Sequence, residues 1–344
     1  MDRSFRPIAF ALGALGVFAV LFVIGGATGW WSAAENEQGI GEISRWCERV
    51  GGGMLREPIN TLGNLGFVVS GLAMFVVLAR DTREAKPLTN RFIGNQPIAL
   101  LYASTAVFLG PGSMVMHGSH TFFGAWIDNL SMVAYILIPW VFNLAILGRW
   151  RDRAFFWVYG SVLGLYAVAY WVFGSDLGIG LDLFGVSIAL WIISEIIYRH
   201  WSGGLRWWSG LIGFAIAFTF EITPADMIED PASYWWVVLF WLPALLSTSP
   251  PTTRRTYTPW FWAGLVSFLV AYAIWTTGTD EHSWCRPESF IQAHAIWHLL
   301  TAVSTWCFFK FLRTDRNLAS ESRDDRDASD ESPKQIKTRP ARRR

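Results

Sequence analysis

The sequence predicts an all-α fold, a polytopic bundle of transmembrane helices. Three observations predict it. Hydrophobic residues make up 52% of the 344 and charged residues only 16%, against about 25% charged in ordinary soluble domains. Apolar runs long enough for a spanning helix recur along most of the chain. Tryptophan occurs 21 times, as in the aromatic belts that sit at membrane–water interfaces. So little charge cannot cover a water-facing surface, which excludes a soluble domain of any size. The net charge of +1 gives no reason to expect a nucleic-acid partner.

The apolar segments fall at 7–31, 59–79, 97–117, 125–148, 154–173, 178–198, 207–224, 234–247, 259–278 and 291–312. The first begins with Arg3 and Arg6 and is followed by "WSAAE", which reads as a cleavage site, but its apolar run is longer than that of a signal peptide. It is expected to be a retained helix. The segments 207–224 and 234–247 are short, and the second contains Pro243. They are expected either to span or to form a re-entrant pair. Four regions follow: an N-terminal helix (1–31), an extracytoplasmic loop (32–58), a helical bundle (59–312) and a charged tail (313–344) with too few apolar residues to fold alone. The final "RPARRR" is either a contact for anionic lipid or simply solubilising.

Sorting the loops gives the orientation. One side collects Arg80, Arg83, Lys86, Arg91, Arg149, Arg151, Arg153, Arg199, Arg206, Arg254, Arg255 and the basic tail. The other collects Asp176, Asp226, Glu229, Asp230, Asp280 and Glu281, with few basic residues. Cytoplasmic loops carry the Lys/Arg excess, so both termini are expected in the cytoplasm, with the protein in an inner or plasma membrane.

Chemistry concentrates at the opposite side. In "IQAHAIWHLL" (291–300), His294 and His298 stand four apart and share a helix face. This spacing suits two ligands of one tetrahedral metal, and it equally suits two core histidines bonded to neighbouring hydroxyls. In "GPGSMVMHGSHTFFGAWIDNLSM" (110–132), Ser113 and His117 repeat the spacing. Asp128 opens the next segment, where a carboxylate among apolar residues is costly and marks a functional candidate. The topology brings His117, Asp128, His294 and His298 to one depth. Three histidines with one open position form the catalytic rather than the structural zinc pattern. His120 and His282 fall in loops and are expected to be solvated. His200 lies on the other side.

Three blocks together, "RWCERVGGGMLREPINTLGNLGF" (45–67), "GSMVMHGSHTFFGAWIDNLSM" (112–132) and "WCRPESFIQAHAIWHLL" (284–300), resemble the alkaline ceramidase family, within the seven-helix membrane hydrolases that include the adiponectin receptors. The middle of the chain, from about 150 to 258, matches poorly. The resemblance implies a seven-helix core with about three extra helical segments here. It implies zinc held by His117, His294 and His298, with a water whose pKa the metal lowers toward about 7. Asp128 would move the proton, and Ser113 would hydrogen-bond the substrate carbonyl. The implied activity is a zinc-dependent amidohydrolase that cuts the N-acyl amide of a ceramide-like membrane lipid into fatty acid and sphingoid base. The alternative is a lipid sensor, receptor or transporter with a structural metal.

In the family's eukaryotic members a calcium site lies in the first block. Here Trp46, Glu48, Glu57 and Asn60 are its matching candidates, but Arg45 replaces an acidic ligand, Val50 an Asn, and the gap from Glu48 to Glu57 is shorter. Calcium takes six or more oxygens. The other role for Glu57 and Asn60 is to orient the zinc ligands by hydrogen bonding. Cys47 and Cys285, each beside a tryptophan in a matching block, are expected to form a disulfide in an oxidising compartment. Cys307 reads as an apolar filler.

Overall fold

The computed structural model describes residues 2–29, 46–219 and 222–318. Arg45, the "WSAAE" stretch and the tail from 319 onward lie outside the described residues.

The architecture is all-α. Helix α1 (Arg6–Thr28) carries no charge after its first residue. The short α2 (Pro58–Gly63) runs with a break at Asn64 into α3 (Leu65–Arg83). They are followed by α4 (Pro97–Ser119), α5 (Phe122–Leu147) and α6 (Asp152–Phe173). With α13 (Ala293–Leu312), these make six stretches among the described residues that are long and apolar enough to cross a membrane. Two shorter helices pack beside them, α7 (Leu183–Arg199) with 17 residues and α12 (Trp260–Trp275) with 16.

Proline starts α2 and α4, at Pro58 and Pro97, where its missing N–H needs no partner. Thr121 caps α5 by accepting from the Gly124 N–H at 3.0 Å. Helix α5 is the axis of the bundle and is buried along nearly its whole length, against α4, α6 and α7. Helices α1 and α6 are peripheral. Their outward side chains are large and apolar, with Phe10 78% and Trp157 76% exposed, which is stable only against lipid.

Among the described residues, the stretch 207–247 contains no helix long enough to span. It breaks into α8 (Gly203–Trp208), α9 (Leu211–Thr219), α10 (Pro224–Glu229), a 3-10 helix (Trp235–Trp241) and α11 (Leu242–Leu246). Glycine, serine and proline at 209–210, 224, 231 and 243 interrupt every run. Helix α9, the 3-10 helix and α11 lean on α7.

The first residues of the expected tail, 313–318, pack on the bundle. Arg313 bonds Asp81 at 2.7 Å, and Asp315 is buried and accepts from the Tyr198 hydroxyl at 2.9 Å. Arg316–Asn317 (β2) then pairs with Thr253–Arg254 (β1) in a two-residue antiparallel ribbon. Charges that look solvated in the sequence have partners on other helices, which keeps 313–318 on the bundle.

Candidate metal centre

Four chain segments deliver the site. Helix α4 ends at His120, whose backbone is left-handed (φ 50°) and whose N–H closes on Met116 at 2.8 Å. Its last turns therefore present Ser113 and His117 on one face. Asp128 lies two turns into α5, and the two helices meet closely: a Cβ on Gly112 would come within 2.6 Å of Ser131 Oγ. His294 and His298 occupy the first turns of α13. Helix α2 wedges in from the fourth side, where a Cβ on Gly63 would lie 3.0 Å from Ala295 Cα.

The three histidines converge. His117 Nε2 is 3.1 Å from His294 Nε2 and 3.3 Å from His298 Nε2. All three side chains are buried, and their ligand atoms lie within 4.8 Å of one another. A tetrahedral zinc bound at about 2.0–2.1 Å holds its ligand nitrogens about 3.3 Å apart. The observed spacings match that geometry. The donor set also fits chemically, because three ring nitrogens crowded in an apolar interior cannot all satisfy one another by hydrogen bonding, whereas one cation satisfies all three.

Around this cluster the first loop builds a support. Its backbone is tied to the end of α4, with Arg56 N–H to Gly118 O at 3.1 Å and Glu57 N–H to His117 O at 3.0 Å. Glu57, fully buried, takes a hydrogen bond on Oε2 from His117 Nδ1 and another from Asn60 Nδ2 at 3.1 Å. With Nδ1 engaged, the His117 Nε2 lone pair faces the other two rings. Burial opposes the charge on Glu57, and its pairing with the facing His117 and His120 rings holds the carboxyl below its ordinary value. Glu48 is spent on the N-terminus of α2, accepting from the N–H groups of Ile59 and Asn60, each at 2.7 Å. Burial pushes its carboxyl above the ordinary value. Trp46 stacks on His294 with ring centroids 4.0 Å apart.

These contacts bear on calcium. Both Glu48 oxygens and Glu57 Oε2 accept from N–H groups, whereas Glu57 Oε1 and Asn60 Oδ1 are buried without a hydrogen-bond partner.

Asp128 and Ser113 stand beside the histidines, both buried, with Ser113 and His117 as the groups that act on the Asp128 carboxylate. Ser113 Oγ has no hydrogen-bond partner of normal geometry. Cys47 and Cys285 are bonded across 238 residues and tie the first loop to the approach of α13. Cys307 is free and buried.

One expectation is overturned. His120 is not solvated: it is fully buried with Nε2 3.1 Å from Glu57 Oε1. As the left-handed cap of α4 it turns inward beneath Glu57 rather than out into the loop. His282, in contrast, lies half-buried in its loop, where its Nδ1 accepts from the Trp284 N–H.

A sequence comparison completes the picture. The family model described as Ceramidase matches residues 44–331. The chain belongs to the ceramidase family. A search of curated proteins gives no match. Ceramidase membership implies a hydrolase acting on amides with a ceramide lipid as substrate, and the six apolar helices make this ceramidase an integral membrane protein. All the candidate residues described above lie inside the matched range, whereas α1 precedes it.

Proposed function

We propose that this ceramidase-family protein is a zinc-dependent amidohydrolase that cleaves the N-acyl amide of a ceramide-like lipid into fatty acid and sphingoid base. The observation that carries the reading is the convergence of His117, His294 and His298 with ring nitrogens 3.1 and 3.3 Å apart beside a buried carboxylate, Asp128.

Zinc bound by these three rings would supply a Lewis acid that polarises the amide carbonyl and lowers the pKa of water. The chain does the rest. Glu57 fixes the tautomer and orientation of His117, and Asn60 in turn orients Glu57. Trp46 holds the plane of His294. The Asp128 carboxylate takes a proton from the attacking water and delivers it to the amide nitrogen as the C–N bond breaks. Ser113 bonds the carbonyl oxygen as it gains charge.

An apolar groove of about 980 Å³ supports a lipid substrate. It runs between α1, α4 and α5, and its lining includes Leu15, Phe18, Phe22, Val115, Phe123 and Ile127. The groove is walled by the same two helices, α4 and α5, that carry Ser113, His117 and Asp128. The segregation of loop charge supports a site on the extracytoplasmic face with both termini in the cytoplasm.

The test is purified protein given a fluorescent ceramide with and without chelator. Release of fatty acid that stops on chelation and returns with zinc is expected. A protein that retains zinc but releases no fatty acid from any ceramide is a sensor or transporter, and the hydrolase reading fails.

A further inference from the structure

At the end of the bundle away from the histidines, the ribbon of β1 and β2 sets Arg254 directly opposite Arg316. Like charges facing each other across a strand pair destabilise it. Both side chains are exposed, and neither has an ion-pair partner among the described residues. A third guanidinium joins them: Arg199, at the end of α7, lies over the Tyr257 ring at 4.2 Å. The three arginines border one cavity of about 390 Å³, with Thr256, Thr258 and Trp262 among its other walls.

Arg255 forms the inner wall of this cavity. Its side chain is wholly buried, and Nη1 bonds Glu195 Oε2 and Asn143 Oδ1, each at 2.7 Å. Its other edge, Nε and Nη2, has no hydrogen-bond partner, and the nearest carboxylate oxygen, on Asp315, stays 3.8 Å from Nε. The rings of Tyr198 and Phe142 cover the guanidinium at 4.1 and 5.4 Å, so water does not freely replace that partner. The Nε–Nη2 edge is the side-on fork by which arginine holds oxyanions in two hydrogen bonds. Four guanidiniums here meet two carboxylates, Glu195 and Asp315, which leaves two positive charges in excess.

We propose that this cavity is a phosphate-binding site, taking the phosphate of an anionic lipid headgroup or a free soluble phosphate. A bound phosphate relieves the Arg254–Arg316 repulsion and adds a negative charge beside the buried Arg255. A free phosphate would offset nearly all of the excess and a phosphodiester headgroup about half of it. The position suits a headgroup in the membrane leaflet away from the hydrolytic site, with Trp262 at the interface. The site is independent of the proposed hydrolysis, since none of its residues touches the histidine cluster.

The test uses the full chain, purified in neutral detergent, with three probes: inorganic phosphate, micelles containing phosphatidylglycerol, and micelles containing phosphatidylcholine. Binding is read by thermal shift and by mass spectrometry of the intact protein. Arg254→Gln/Arg316→Gln removes the outer pair without touching a buried group, and Arg199→Gln is the second variant. The wild type is expected to bind phosphate, phosphatidylglycerol or both, and each variant at least about tenfold more weakly. Without ligand, the double variant is expected to melt no lower than wild type. Phosphate binding alone identifies a soluble ligand, and phosphatidylglycerol binding alone a headgroup. Equal binding of phosphatidylcholine, unchanged binding in the variants, or no binding of phosphate or phosphatidylglycerol overturns the proposal.

Discussion

Glu57 and His117, sixty residues apart in sequence, share a hydrogen bond between a buried carboxylate oxygen and a buried ring Nδ1. The bond links the first loop, the end of α4 and the metal cluster in one contact. If its role is to orient a zinc ligand, Glu57→Gln should weaken zinc affinity by about 10- to 100-fold. Competition against a chromophoric chelator measures this. Unchanged affinity would reduce Glu57 to a structural tie.

Asp128 and Ser113 should separate binding of the metal from turnover. Asp128→Asn removes the proton carrier and should lower kcat by about 10²- to 10⁴-fold. Ser113→Ala removes one donor to the developing oxyanion and should lower it by about 10²- to 10³-fold. Both variants should keep their zinc, because neither residue is among the three ligands. Loss of zinc in either would assign that residue to metal binding.

The apolar groove should set chain-length preference. Ala14 and Ser104 line it and are themselves exposed to it. Ala14→Phe or Ser104→Phe should narrow the groove and shift kcat/KM toward short-chain ceramides by about tenfold or more, measured with substrates of graded acyl length. A uniform loss across all lengths would remove the acyl chain from this groove.

How far the sequence alone reaches is visible in particular residues. His294 and His298 declare themselves because a helix face repeats every three to four residues, and polar pairs on an apolar face stand out. Ser113 and His117 follow from the same periodicity, Asp128 from being a carboxylate in an apolar run, and convergence of the three histidines from the alternation of helices. His120 was hidden, since a loop histidine carries no periodicity and its burial is set by the left-handed cap of α4. Glu195, in "IISEIIY", had the signal of a lone carboxylate in an apolar run. Its partner Arg255 lies 60 residues away in a loop, and no local pattern connects them. The short pieces between 203 and 246 were hard to read because a composition apolar enough to span is cut by breakers too closely for any run to reach full length.

Arg255 itself is a stability test. Arg255→Met leaves the buried carboxylate of Glu195 without its cation, at a cost of about 3–5 kcal/mol. The double variant Arg255→Met/Glu195→Met should recover much of that loss. Chemical unfolding in detergent compares the three proteins, and equal stability of the single and double variants would deny the pairing.

The disulfide gives a second stability test. Cys47 and Cys285 close a loop across 238 residues, so Cys47→Ser/Cys285→Ser should destabilise the protein by about 2–5 kcal/mol. Its thermal midpoint should fall to that of wild type held in reductant. An unchanged midpoint would show that the helices alone hold the first loop.

The most direct test of the central claim is the metal content of the purified protein, by elemental analysis after removal of loosely bound ions. The account predicts one zinc per chain in the wild type and almost none in His294→Ala or His298→Ala. Wild-type protein that stays folded yet carries no metal, and takes up none from added zinc, would contradict it.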